Sequence, residues 1–242
     1  MRSRKITKRR RLVGAQQPQQ PMKVAVMFVG RIKGYAPYLS KLLEFKNRYA
    51  PTYYCSLNRP ADNDEASKLF DEELDKFAKE LGITRENMNL ETTPFPDFLK
   101  DVKNYKSWSP NNAYSMFYHE NKAFSLIEND VVRNKRQYDC ILYCRADMDS
   151  EDKLVLEIPK PNVIYIPSGE DFDGINDKLA YGNFDSMKKY CSVIKDLTSS
   201  ETMNGMMPES ILKRHLDAEK LEVVRIKYGT ASLAEDRKKE YT

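Results

Sequence analysis

Two acids one residue apart, Asp147 and Asp149, end the apolar run Tyr138-Asp-Cys-Ile-Leu-Tyr-Cys-Arg-Ala-Asp-Met-Asp149. Alternate residues of an extended chain point the same way, so carboxylates at i and i+2 converge on one hard cation, which prefers oxygen ligands. Such a cation would complete its shell with the oxygens of a bound diphosphate and neutralise charge on a departing group. The spacing also occurs at Asp62-Asn63-Asp64 and Asp171-Phe172-Asp173. The first precedes a helix with no apolar run before it and reads as a solvated turn and cap. The second follows Ser168-Gly169-Glu170 in a polar loop and reads as a loop near a ligand or acceptor. Context therefore selects Asp147 and Asp149, whose bland alternative is a pair of surface acids in a turn.

The elements that must position these acids are legible as hydrophobic patterns. Val24 to Val29 is a continuous apolar run closed by Gly30, expected as a strand covered on both faces. A helix is expected from Pro37 to Tyr49 and a strand from Thr52 to Leu57, which makes one βαβ unit. Phe70, Leu74, Phe77, Ala78 and Leu81 recur at helical spacing within Asp64 to Leu81, ended by Gly82. A short strand is expected at Met88 to Thr92, then a long loop from Pro94 to Asn112. Asn111 or Asn112 would cap a helix from Ala113 to about Val132, followed by a strand over Tyr138 to Tyr143. Val163 to Pro167 and Leu221 to Ile226 read as strands, and Phe184 to Leu197 and Pro208 to Leu216 as helices. Strands alternating with helices predict an α/β fold, a three-layer α/β/α sandwich with a mixed, mainly parallel sheet, whose ligands bind beyond the carboxyl ends of the strands.

Composition narrows the classes. Of 40 basic residues, seven lie in residues 1–21 with no acid, so 33 remain against 36 acids and the body carries about −3. That leader is expected to be disordered, a solvated extension more than a nucleic-acid patch, and residues 22–242 a single domain. No apolar stretch nears the roughly 20 residues of a membrane helix, so a cytoplasmic protein without a membrane span is expected. The four cysteines, Cys55, Cys140, Cys144 and Cys191, form no CxxC pair and read as buried free thiols. Two histidines, His119 and His215, are too few and too far apart for a zinc site. His119 reads as structural, His215 as solvent-facing, with a metal ligand as its alternative.

Four segments, Val24 to Arg31, Asn112 to Ile127, Tyr138 to Asp149 and Gly174 to Tyr190, together resemble the GT-A class of nucleotide-sugar glycosyltransferases, in particular those of large algal DNA viruses and bacterial polysaccharide loci. The resemblance implies a Rossmann-like nucleotide-binding half, about residues 22–150, and an acceptor half, about 151–233, with Mn²⁺ or Mg²⁺ between them. It implies a nucleotide-sugar donor, a UDP-sugar by preference, a glycan or glycoprotein acceptor, and no nucleic-acid partner.

Carried over by position, Gly30 lets backbone approach the donor and Arg31 pairs with phosphate. Ser56 and Asn58 face base or ribose, and Tyr118 and Lys122 flank the donor from the helix before the metal strand. Arg145 bridges diphosphate or sugar hydroxyls, a buried salt bridge being its alternative, and Asp147 joins donor and metal. Asp177 is the first candidate for a sugar-binding or catalytic acid and Glu209 the second. An acid in a first helical turn is also favoured by the helix dipole alone. Trp108 reads as packing, with sugar stacking as its alternative. Two other classes compete: a Mg²⁺-dependent phosphatase of the haloacid-dehalogenase type, in which Asp147 is the nucleophile, and a non-enzymatic nucleotide- or nucleic-acid-binding module using the basic leader. The phosphatase motif closes the first core strand, whereas Asp147 lies past the chain's midpoint.

Overall fold

The structure is a computed structural model that describes residues 21–30, 32, 39–60, 64–103, 109–150, 152–229 and 231–232. Expectations for the leader up to residue 20, Arg31, Asp62, Asn63, Trp108 and residues 233–242 lie outside the described residues.

Chain order is β1 (Val24–Gly30), α1 (Leu39–Tyr49), β2 (Thr52–Asn58), α2 (Asp64–Leu81), β3 (Met88–Glu91), α3 (Pro110–Asn134), β4 (Cys140–Arg145), β5 (Met148–Asp149), β6 (Val163–Pro167), β7 (Leu179–Gly182), α4 (Phe184–Tyr190), α5 (Pro208–Ala218), β8 (Glu222–Ile226) and β9 (Ala231–Ser232). Seven strands form one mixed sheet in the order β3-β2-β1-β4-β7-β6-β8, and β5 pairs with β9 as a separate antiparallel ribbon. β7 alone runs against its neighbours; the other pairings are parallel. The expected three-layer α/β/α arrangement with a mainly parallel sheet is therefore present.

Strand alternation explains the layers. In β1, Val24, Val26 and Phe28 pack on one face with Leu42 of α1 and Phe70, Leu74 and Phe77 of α2. Ala25, Met27 and Val29 pack on the other with Phe117, Phe124 and Ile127 of α3, Met187 of α4 and Ile211 of α5. β1 is thus buried on both faces, which is why it reads as an unbroken apolar run. All four cysteines are buried free thiols.

Several boundaries differ from the sequence expectations. Ser109, not Asn111 or Asn112, is the N-cap of α3, and its carbonyl accepts from the Asn112 and Ala113 amides at 3.0 and 3.3 Å. Pro110 then takes the first turn, where its missing N–H leaves no bond unmade. β4 extends two residues further than expected, to Arg145. The helix expected over Phe184 to Leu197 stops at Tyr190, and a 3₁₀ turn follows at Val193–Asp196. The Lys189 carbonyl is drawn out of the helical ladder there, accepting from the Ser192 hydroxyl at 2.7 Å and facing His215 Nε2 at 2.8 Å. β7 falls in a segment to which the sequence pattern assigned no element. Its four residues are too few to show a period.

α5 is held against the chain before β7 by a contact that only glycine permits. A Cβ on Gly174 would lie 2.1 Å from both the carbonyl carbon and oxygen of Glu209, and the next amide, Ile175, donates to that same oxygen at 3.1 Å. Gly174→Ala should therefore destabilise the fold by about 3 kcal/mol or more, the high end for overpacking because backbone is the obstacle. Urea-denaturation midpoints of the two proteins measure this.

Candidate functional site

Strand order reverses between β1 and β4: β2 and β3 continue to one side of β1, while β4 begins the other. In an open α/β sheet the crevice at the carboxyl ends of such a pair is the ligand site. Gly30, in a left-handed conformation at φ 102°, ends β1 there, and a Cβ at this position would lie 3.8 Å from Asp147 Oδ1. The Ala146 amide donates to the Val29 carbonyl at 2.9 Å, so the turn after β4 is tied to the end of β1. Gly30, Arg145 and Asp147 are therefore together, as the sequence suggested.

Arg145 grips Asp147 with both prongs, Nε to Oδ1 and a terminal nitrogen to Oδ2, each at 3.0 Å. The two side chains are only 18 % and 13 % exposed. Burial disfavours the guanidinium charge, but Asp147 and then Asp177 more than offset this and raise the Arg145 pKa above its usual value. The buried salt bridge given as the alternative for Arg145 is present, with Asp147 as partner; Asp139 accepts from the Lys23 amide.

The two acids proposed from sequence for chemistry come to the same edge. Asp177 precedes β7, whose first residue pairs with Cys144 of β4, and the Lys178 carbonyl accepts from the Arg145 amide at 3.0 Å. The Asp177 carboxyl is 2 % exposed, and neither oxygen has a hydrogen-bond partner from another residue among the described residues. Burial raises its pKa above the usual carboxylate value, against the opposing pull of Arg145 and Lys178. Glu209, in the first turn of α5, is 1 % exposed; burial foremost, then the charge of Asp177, pushes its pKa up to about 8.

A third acid escaped the sequence reading. Glu120 of α3 is buried, bonded by the Cys191 thiol, and pushed well above the carboxylate range by burial and by Asp177. The signal was present: Glu120 lies three residues after Phe117 and four before Phe124, an acid on the apolar face of the helix. Tyr143 and Tyr190 complete the surroundings, Tyr143 donating to the Asp177 carbonyl at 2.9 Å.

The remaining candidates form a second cluster at the ends of β2 and β3. Tyr118 donates to Glu91 Oε1 at 2.9 Å and Lys122 lies 3.2 Å from the same oxygen. Burial opposes the Glu91 charge, but hydrogen bonds from Asn89, Tyr118 and Lys122 win and hold its pKa low. Ser56 is fully buried, 2.8 Å from His119 Nδ1, and Asn58 Oδ1 accepts from the Thr93 amide and hydroxyl. His119 is structural, as expected, with its pKa lowered to about 4 by burial. His215, expected in solvent, is 3 % exposed and faces Asp196 Oδ2 at 2.6 Å. The two clusters share one row of the sheet, because Ser56 and Arg145 are the register partners of Val29 on either side, about 10 Å apart at the usual strand spacing.

No family model matches the chain, and no curated protein matches it.

For a cation, the side chain of Asp149 lies outside the described residues, and the described residues contain no group of three metal-type ligands. Asp147 suits a cation that takes one or two carboxylates and draws further oxygens from a diphosphate, the usual habit of Mg²⁺, and not one caged by protein alone. An apolar cavity of about 40 Å³ under α1, lined by Phe28, Leu42, Phe45 and Tyr228, lies on the opposite face of the sheet from Glu120 and is a packing gap.

The raised carboxyls have a consequence for stability. A group whose folded pKa lies above its unfolded value stabilises most below the unfolded value, near 4.5 for Glu209, and loses this as pH rises through about 8. Wild-type stability should fall across that window. Glu209→Gln should flatten the decline by up to about 1.4 kcal/mol per pH unit, checked by denaturation at pH 5, 6.5 and 8.

Proposed function

We propose that this chain is a glycosyltransferase, moving a sugar from a nucleoside-diphosphate sugar, with UDP favoured, to a hydroxyl of a glycan or glycoprotein acceptor. The observation that carries the reading is the position of Asp147: it follows β4 beside Gly30 at the strand-order reversal, with Arg145 and the buried acid Asp177 on the same edge. A cationic guanidinium and a close backbone approach suit a diphosphate. A buried carboxyl beside them suits proton transfer from an alcohol. The row from Arg145 to Ser56 gives the donor a length of sheet edge to lie along, with Tyr118 and Lys122 at its far end.

In this reading Gly30 admits the diphosphate to the end of β1. Arg145 turns from Asp147 towards the phosphate oxygens, and Asp147, with Asp149, becomes free to act as a ligand. A divalent cation, Mn²⁺ or Mg²⁺, would supply charge neutralisation for the leaving diphosphate. Asp177, its pKa raised by burial against the pull of Arg145 and Lys178, takes the proton of the acceptor hydroxyl as that oxygen bonds to the anomeric carbon and the carbon–diphosphate bond breaks. Glu209 and Glu120, raised by burial and by the charge of Asp177, are the acids beside it.

The phosphatase reading keeps its objection from sequence: Asp147 follows β4, the fourth strand in chain order, whereas that class carries its nucleophile after the first core strand. Calorimetric titration of UDP with and without Mn²⁺ tests the proposal. Wild type should bind at least about tenfold more tightly with Mn²⁺, a difference of about 1.4 kcal/mol, and the Asp147→Ala/Asp149→Ala variant should lose that gain. Absence of binding by any nucleoside diphosphate, with or without metal, would overturn it.

A further inference from the structure

The loop between β6 and β7 holds four of its residues at positive φ: Gly169 at 91°, Glu170 at 53°, Phe172 at 40° and Asp173 at 68°. For glycine this is ordinary, and Asp tolerates it, but a bulky side chain in this region is an outlier. Phe172 gains little from the fold in return, because it is 52 % exposed. A strained backbone that presents an aromatic ring to water is unfavourable twice over.

Nor is the loop free to relax. Asp171 Oδ1 accepts from Arg225 at 2.6 Å and from the Asn176 amide at 3.0 Å, and the Asp171 carbonyl accepts from Gly174 at 2.7 Å. The Asn176 side chain donates to the Gly169 carbonyl at 2.9 Å, and Lys178 Nζ to Glu170 Oε2 at 2.7 Å. Ser168 is tied to Ile226 and Gly174 is wedged against Glu209. These bonds on both sides of Phe172 over-determine its conformation. The anchors also fix its place: Lys178 follows Asp177 directly, and Gly174 touches the first turn of α5 that carries Glu209.

We infer that Phe172 is a preset stacking platform for a sugar ring of the acceptor, at the mouth of the edge that holds Asp177. The chemistry of the surroundings selects this ligand class. A single exposed aromatic ring in a loop that also carries Glu170, Asp171 and Asp173 suits a molecule with one apolar C–H face and a rim of hydroxyls, which is a pyranose, better than an apolar helix or a polyanion. Rigid presentation lowers the ordering cost that a weak sugar contact must overcome. The inference rests on the transferase reading for the word acceptor, not for the stacking itself.

The test uses the whole chain and the variants Phe172→Gly, Phe172→Asn and Phe172→Tyr. Saturation-transfer NMR with methyl glycosides of glucose, galactose, mannose and xylose should give ring C–H signals from at least one with wild type and Phe172→Tyr. Phe172→Gly and Phe172→Asn should lose them at least fivefold while their Tm rises by about 2–4 °C, because the strain is released. UDP titration of all four proteins should be unchanged. Glycoside signals that persist in Phe172→Gly, their absence from wild type, or a lower Tm in both Phe172→Gly and Phe172→Asn would each overturn the inference. Loss of UDP binding in wild type with Phe172-dependent glycoside signals would sink the donor reading and leave the platform standing.

Discussion

One guanidinium sets the charge balance at the carboxyl edge of the sheet. Arg145 commits two hydrogen bonds to Asp147 and also lies within electrostatic reach of Asp177. Stripping water from an ion costs several kcal/mol even after relaxation, against about 1 kcal/mol for an ordinary hydrogen bond, so the number of charges outweighs the number of contacts. With Asp147 taking the fork, the remaining buried acids are not all ionised. Lys178 cannot make up the difference, because its Nζ is bonded to Glu170. Glu120, Glu209 and Asp177 are accordingly all raised by burial, and Arg145 and Lys178 pull against that rise at both Asp177 and Glu209.

The fold makes this tolerable by surrounding the edge with buried, hydrogen-bonded backbone. β1 is covered on both faces, and its neighbours β2 and β4 are in register with it for six residues each. Strand alternation places Ile141, Tyr143 and Arg145 on the same side of β4, towards α3, where Glu120 waits. α5 brings Glu209 from the far end of the chain, and its approach depends on the bare Cα of Gly174. Two helices, the turn after β4 and the segment before β7 each contribute one acid, so no short stretch of sequence contains the group.

That dispersal explains what sequence reading reached and what it missed. The long apolar runs and the amphipathic α2 declare themselves through periodicity, so the layers and the mainly parallel sheet were legible. So was the closing acid of β4, because Asp147 interrupts an apolar run. Asp177 and Glu209 were identified separately, and nothing in the sequence indicated that they share one field. Glu120 was hidden by attention to its polar neighbours Tyr118, Asn121 and Lys122, although its helical phase matched Phe117 and Phe124. His215 misled in the opposite direction: flanked by Lys213, Arg214 and Asp217 it reads as solvated, yet helical geometry turns it inward beside Leu212 and Leu216. β7 is short, and its pairing is tertiary.

The opposite end of the sheet shows how this chain treats a buried acid that has only structure to serve. Asp130 near the end of α3 is 7 % exposed, and Oδ2 accepts from Tyr54 and Tyr138 at 2.8 and 2.7 Å while Oδ1 accepts from Asn134 at 2.6 Å. Arg136 adds a cation at 3.5 Å. Burial opposes the charge, but these bonds prevail and hold the Asp130 pKa low. Every requirement for a settled buried carboxylate is met there. Asp177, more deeply buried, has neither oxygen bonded by another described residue, and Glu120 Oε1, Glu209 Oε2 and the Tyr190 hydroxyl are similarly left over. A protein that satisfies one acid so completely has the means to satisfy the other. Leaving unpaired polar groups in a dry site is unfavourable for the fold alone, and it is what a site must do if its partners arrive with the substrate.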